Sequence, residues 1–257
     1  MADLDVLLLR FDAPLMSFGG VRVDDRGPTD EAPGLSLVTG LVANALGWDH
    51  READKLQRLQ GRIRLAVRRD RAGEAFEDFQ TVDLGQPYMA PGWTTWHRVA
   101  ERGGASGEGT HIRKRHYWAD AVFTLAVAVR PEDEEPTLDR IEQALNEPER
   151  PLFLGRKPCL PADRLVLGRA RATSLKEAVE SASLVGRRRR RSEQAEGPAE
   201  SRFQVWWPEG DAPPPSSTSG DREPVYDLRD WANQVHTGRR FVHRSFVEIP
   251  EEARNGE

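Results

Sequence analysis

Asp3-Leu4-Asp5-Val6-Leu7-Leu8-Leu9-Arg10-Phe11 carries apolar side chains on both faces of an extended segment. Leu4, Val6 and Leu8 fall on one face and Leu7, Leu9 and Phe11 on the other, the pattern of a strand covered on both sides. Further along, Val38, Leu41, Val42, Ala45 and Leu46 keep the spacing of an amphipathic helix, with Ser36 as its expected N-cap and Gly47 as its stop. Arg62 to Arg68 alternates: Ile63, Leu65 and Val67 are expected inward, and Arg62, Arg64 and Arg68 outward. Ala121 to Val129 reads as a third strand with Phe123, Leu125, Val127 and Val129 on one face. Pro136 and Thr137 open a second helix carrying Leu138, Ile141 and Leu145, and Arg164 to Ala170 reads as a fourth strand. The order predicts an α+β fold, a ferredoxin-like or RRM-like βαββαβ domain with two helices on one face of an antiparallel sheet. Such a frame hosts many activities, so function has to be argued from particular residues.

Two interruptions break the frame. The first, about residues 83–118 between the second and third strands, is far longer than a hairpin needs. It holds Tyr88, Trp93, Trp96, Tyr117 and Trp118 among Arg98, Arg102, Arg113, Lys114 and Arg115, with a tip rich in glycine from Gly103 to Gly109. Rings that stack on bases, interleaved with cations that meet phosphates, suit single-stranded nucleic acid. A small second core with a charged rim accounts for the same residues. The second interruption follows Ser174-x-x-Glu177, a capping-box signature for a short helix. Arg187 to Arg191 are five consecutive arginines, and Ala212 to Gly220 is rich in Pro and Ser. That composition predicts a solvated, disordered insertion over about residues 186–223. Phe203 to Trp207 and Arg240 to Ile249 are expected to pair as a small C-terminal β element. Residues 1–172 thus form the main unit, and 173–257 a C-terminal extension.

Charge is segregated rather than uniform. The 257 residues carry a net charge of −5, which argues against a protein basic all over. Pro131 to Glu149 contains eight acids against Arg140 alone, whereas Arg150 to Arg171 contains six bases against Asp163. In the basic stretch, Leu154-Gly155-Arg156-Lys157-Pro158 sets two cations beside a backbone that other chains can approach closely, which suits a phosphate. A plain turn with a solvated tip is the simpler alternative. The single cysteine, Cys159, excludes an internal disulfide and any multi-cysteine zinc site. No apolar run reaches membrane-spanning length and the start Met1-Ala2-Asp3 lacks a cationic signal region, so a cytoplasmic protein without membrane contact is expected.

Conventional catalytic signatures are missing. No P-loop, dinucleotide fingerprint or Gly-x-Ser-x-Gly elbow occurs, and the six histidines never fall at the i, i+4 spacing of a helical metal pair. No metal or cofactor is therefore expected. Lys114, His116 and Tyr117 form the one constellation able to supply acid, base and phosphate contact for metal-free RNA cleavage. Clustered cations on such a loop serve binding more often than catalysis.

Four segments, Leu8 to Gly19, Arg26 to Gly47, Ile112 to Val127 and Pro151 to Leu160, together resemble the CasD family of type I-E CRISPR Cascade subunits, in the RAMP superfamily. The resemblance implies a non-enzymatic subunit that caps the 5′ handle of the guide RNA (crRNA). It also implies a thumb set against the Cascade backbone subunit, contact with the large subunit, and target DNA nearby. On the matching positions, RNA binding is expected at Ser17, Phe18, Gly19, Arg26, Asn44, Arg113, Lys114, Arg115, His116, Gly155, Arg156 and Lys157. Partner contacts are expected at Tyr88, Trp93, Trp96, His97 and Arg98. In related type I-C systems the corresponding subunit cuts repeat RNA with a tyrosine, a lysine and a histidine. The helix Leu37 to Gly47 contains no tyrosine to complete that set, so cleavage is the alternative and not the expectation. A protein-interaction module with an incidental basic surface is the third reading.

Overall fold

The structure is a computed structural model that describes residues 3–20, 26–89, 91–93, 98–101, 109–184, 202–213 and 221–249. Strand β1 (Leu4–Asp12) leads into two short bridges, β2 (Leu15–Met16) and β3 (Arg26–Gly27), and then helices α1 (Leu35–Ala45) and α2 (Ala53–Arg62). Strands β4 (Ile63–Arg71), β5 (Glu74–Asp83), β6 (Pro91–Trp93), β7 (Val99–Glu101), β8 (Thr110–Ala119) and β9 (Val122–Val129) follow. After them come α3 (Leu138–Asn146), β10 (Val166–Ala172), α4 (Leu175–Ser181), β11 (Arg202–Pro208), β12 (Asp221–Asp230) and β13 (Val235–Glu248). β1 lies inside a seven-stranded sheet of order β10-β1-β9-β4-β11-β13-β12, antiparallel at every pairing. Its two apolar faces are both used, as its sequence requires.

On one face Leu7, Leu9, Phe11, Phe123, Leu125 and Leu65 pack with Val38, Val42 and Ile141 of α1 and α3. The other face is not bare. Val6, Ala66, Ala126 and Trp207 pack there against Leu175, Ala178 and Val179 of α4. The two expected helices, α1 and α3, share one face, and α4 covers the other, which corrects the outward placement of two arginines. Arg68 is 0% exposed. Its guanidinium meets the carbonyls of Val179 and Ala182, and its Nε reaches Asp70 at 2.6 Å. A buried cation must find such partners, and the carbonyls left open at the end of α4 supply them. Arg62 is also buried, donating to the carbonyls of Pro131 and Glu134, whereas Arg64 is exposed as expected.

The helix termini differ in how local they are. Ser174 Oγ caps α4 by accepting from the Glu177 N–H at 3.1 Å, while the Glu177 carboxylate reaches one residue further back and accepts from the Thr173 N–H at 2.7 Å. Thr137 caps α3, and Gly47 closes α1 at a φ of +75°. Ser36, however, lies inside α1. The residue at the N-cap is Gly34, and the cap's hydrogen bond comes from Asp227, whose carboxylate accepts from the Leu35 N–H at 2.7 Å. Arg240 holds that carboxylate from its other side at 2.8 Å. Helix α2 was not anticipated, its buried apolar side chains being Leu56 and Leu59 alone.

β11 and β13 pair with each other, for example Trp206 with Arg244. They do not stand apart as a separate element, because β11 also pairs with β4 and extends the main sheet. β11 forms the strand expected at Phe203 to Trp207, with Phe203, Val205 and Trp207 buried, so the stretch 186–223 is not disordered throughout. Arg187 to Arg191 lie outside the described residues. The long insertion starts earlier than residue 83, at Glu74, because β5 pairs with β8 over ten residues from Glu74↔Ala119 to Asp83↔Thr110. β5 is exposed over most of its length and lacks the inward apolar face that would have marked it as a strand.

Candidate nucleic-acid interface

The exit of β1, the bridge β3, the base of the β5–β8 ribbon and the loop after α3 meet at one place. β2 pairs with the end of β8, setting Met16 opposite Trp118. The Ser17 N–H donates to the Leu154 carbonyl at 3.1 Å, and Ser17 Oγ to the His116 carbonyl at 3.2 Å. The Phe18 N–H donates to Thr29 Oγ1 at 2.9 Å, and the Asp30 N–H to the Phe18 carbonyl at 2.8 Å. Gly155 has a φ of +106°, and a Cβ there would lie 1.7 Å from the Ser17 carbonyl oxygen, so no other residue fits. The start of the loop is held by Asn44, whose side-chain amide donates to the Pro151 carbonyl at 2.6 Å. Cys159 is buried beneath the loop, and that burial pushes its thiol up and away from reactivity.

Arg156 sits at the centre. Its Nη1 donates to the His116 carbonyl at 3.0 Å and its Nη2 to the Gly27 carbonyl at 2.8 Å, with the guanidinium 4.8 Å from the centre of the Tyr117 ring. Gly27 leaves the room for this, since a Cβ there would meet Nη2 at 2.5 Å. Ser17 and Phe18 are buried, main chain included, with Phe18 edge-on to Phe123 at 5.2 Å. Of the residues expected to bind RNA here, those that face solvent are Gly19, Arg26, Gly155 and Lys157. Ser17, Asn44 and Arg156 build the surface on which those stand.

The ribbon divides its cations by strand alternation. Lys114 and His116 share one face and converge on Glu77, at 3.0 and 3.5 Å, with the Lys114 ammonium 6.0 Å from the Phe79 ring centre. Arg113, Arg115 and Tyr117 take the other face; both arginines are half-buried and Tyr117 is 2% exposed. The trio Lys114, His116 and Tyr117 is thereby separated across the ribbon. Tyr88 is 78% exposed and Arg98 is exposed, while the backbone of Trp93 lies in β6. Trp96 and His97 lie outside the described residues. Among the described residues, no group of three or more His, Cys, Asp or Glu is placed to hold a metal ion.

Several residues of the cluster went unassigned in the sequence. Trp118 Nε1 donates to the Asp30 carbonyl at 2.8 Å. The Asp30 carboxyl is pushed up to about 6, first by burial and then by the charge of Asp227. Gly27-Pro28-Thr29 offered the one local signal, a glycine and a hydroxyl beside a turn-forming proline.

Comparison with known proteins gives the family. The family described as CRISPR-associated protein (Cas_Cas5) matches residues 6–243. The chain is 27% identical over 184 residues to the CRISPR system Cascade subunit CasD of Escherichia coli (strain K12), covering 70% of this chain and 78% of that one. A chain of a solved structure described as a CRISPR RNA-guided surveillance complex superposes with a TM-score of 0.70 at 27% identity, covering 95% of this chain and 91% of that one. A structure described as a Cas protein, at 24% identity and a TM-score of 0.58, shares the fold. The chain belongs to the Cas5 family of CRISPR-associated proteins.

Proposed function

We propose that this chain is a non-catalytic subunit of a type I-E CRISPR Cascade complex that grips and caps the 5′ handle of the crRNA. The observation that carries the reading is the knot of β1 exit, β3, ribbon base and Gly155 loop. It is locked by the Arg156 and Ser17 hydrogen bonds and presents Gly19 backbone, Arg26 and Lys157 to solvent. A rigid backbone surface rimmed by cations suits the phosphates of a strand that bends sharply. Similarity to CasD of Cascade supports the assembly. The strand order β10-β1-β9-β4, with α1 and α3 on one face, is what a ferredoxin-like βαββαβ unit requires, so we read residues 1–172 as that unit. The β5–β8 ribbon is the thumb that meets the backbone subunit, with the large subunit and target DNA as neighbours.

Metal-independent cleavage would need an acid, a base and a phosphate contact around one phosphate. With Tyr117 buried under Arg156 and Lys114 and His116 on the opposite face, that arrangement is absent among the described residues. The same residues serve as binding and packing groups without further demands.

Co-expression with the neighbouring CRISPR genes, followed by sequencing of co-purified RNA, tests the reading. Repeat-derived RNA with its 5′ end protected is expected. Purification of an assembly lacking this chain yet retaining a protected 5′ end would refute it. Incubation of the pure chain with repeat RNA in EDTA is expected to leave the RNA intact. A single defined cut, abolished by His116→Ala, would replace the scaffold with an endoribonuclease.

A further inference from the structure

We infer that Arg156 is a positioning residue: a clamp that fixes the base of the β5–β8 ribbon against β3 and the Gly155 loop, and not a phosphate ligand. The RNA consequence rests on the handle-binding reading above; the clamp itself rests on geometry. An exposed Gly-Arg-Lys turn suggests two cations offered to a phosphate, but the pair is split by its surroundings. Lys157 is exposed, whereas the Arg156 guanidinium is half-buried, lying near the Tyr117 ring and donating to two main-chain carbonyls.

Those two carbonyls belong to segments that are otherwise joined weakly. β3 and β8 pair over two residues only, Arg26↔Lys114 and Gly27↔Arg115. Beyond those two pairs, the β3 segment is tied to β8 by the Trp118 Nε1 bond to the Asp30 carbonyl. Arg156 adds an attachment from a third segment, reaching both sides of that bridge at once. Its planar fork can span two carbonyl oxygens and lie flat on a ring, which a lysine ammonium cannot do. Gly27 is matched to it, since any side chain at that position would occupy the place of Nη2. Gly155 is matched as well, because its contact with the Ser17 carbonyl brings the arginine within reach. Gly27, Gly155 and Arg156 thus form one device that helps fix where the ribbon points.

The test compares Arg156→Ala, Arg156→Lys, Gly27→Ala and Lys157→Ala in the full chain, with two readouts. The first needs no RNA: spin labels at Thr81→Cys on the ribbon and Glu147→Cys after α3 report the ribbon-to-body distance by pulsed electron resonance, the buried Cys159 staying unlabelled. A broadened distance distribution is expected for Arg156→Ala, Arg156→Lys and Gly27→Ala. The Arg156→Ala, Gly27→Ala double variant should be no broader than either single one, because both remove the same contact. The second readout is the salt dependence of binding to a repeat RNA from the same genome. Loss of one phosphate contact lowers the log–log slope by about 0.7 for single strands. That drop is expected for Lys157→Ala, whereas Arg156→Ala should weaken binding on the order of tenfold with its slope unchanged. An unaltered distance distribution in Arg156→Ala, or a slope lowered by about 0.7 in Arg156→Ala and restored by lysine, would overturn the inference. If the parent chain binds no repeat RNA, the handle reading fails for the isolated chain and the distance readout alone decides the clamp. Gly27→Ala leaves Arg156 in place and keeps the test open should Arg156→Ala fail to fold.

Discussion

Replacing Gly155 by alanine should unlock the candidate site at a cost that can be worked out in advance. The added methyl carbon would lie 1.7 Å from the Ser17 carbonyl oxygen and 2.8 Å from the carbonyl carbon. Contacts below 3.0 Å essentially never occur, so the loop must withdraw by at least 3.0 − 1.7 = 1.3 Å. The Ser17 N–H to Leu154 carbonyl bond, 3.1 Å long, cannot survive that movement. A φ of +106° adds strain of roughly 1–2 kcal/mol for a residue with a Cβ. The lost backbone bond adds about 0.5–1.5 kcal/mol, and release of Arg156 from its carbonyls about 1.5–3 kcal/mol. A total loss of about 3–6.5 kcal/mol is expected if the loop gives way as a unit. Urea denaturation followed by tryptophan fluorescence measures it, with an unchanged m-value showing that the denatured state is not the cause. Gly61→Ala is the control, since nothing stands within 4 Å of a Cβ there and alanine favours helix α2. That variant should be neutral or stabilised by about 0.5–1 kcal/mol. Stability of Gly155→Ala within about 0.5 kcal/mol of the parent would refute the close-approach argument.

Arg68→Ala should cost about 3–5 kcal/mol, because it leaves Asp70 and two α4 carbonyls without their buried partner; thermal melting checks it. Asp227→Ala should cost about 2–4 kcal/mol by uncapping α1 and stranding Arg240, and hydrogen exchange should report faster opening at Leu35 than in α3. Asp30 predicts a pH dependence, since its folded value of about 6 stands above the ordinary 3.8. The protonated form favours the fold, so its contribution is complete below about pH 4, falls as pH rises to about 6, and is flat beyond. The full linkage is about 3 kcal/mol, cut to about 1–2 because the carboxyl is only partly buried. Urea midpoints measured from pH 4 to 7 should show that fall, and Asp30→Asn should abolish it.

Periodicity made much of the frame legible before any coordinates. β1, α1, β4, β9, α3 and β10 appear where alternation and helical spacing put them, because those patterns are local. Ser174 and Glu177 were readable for the same reason, the capping box closing within four residues. What the sequence by itself could not determine is which second face would be covered. Arg68 looked like a solvated side chain until α4, more than a hundred residues later, placed its carbonyls over it. The true cap of α1 comes from Asp227, 192 residues from Leu35, and no local signal can point across that distance. The Gly155 segment showed the same division. Its glycine and two cations marked a special turn, but whether each cation faces ligand or backbone depended on the distant segments. Tertiary packing turned Arg156 inward to the carbonyls of Gly27 and His116 and left Lys157 in solvent, because a buried guanidinium must satisfy its donors while an exposed ammonium keeps its water.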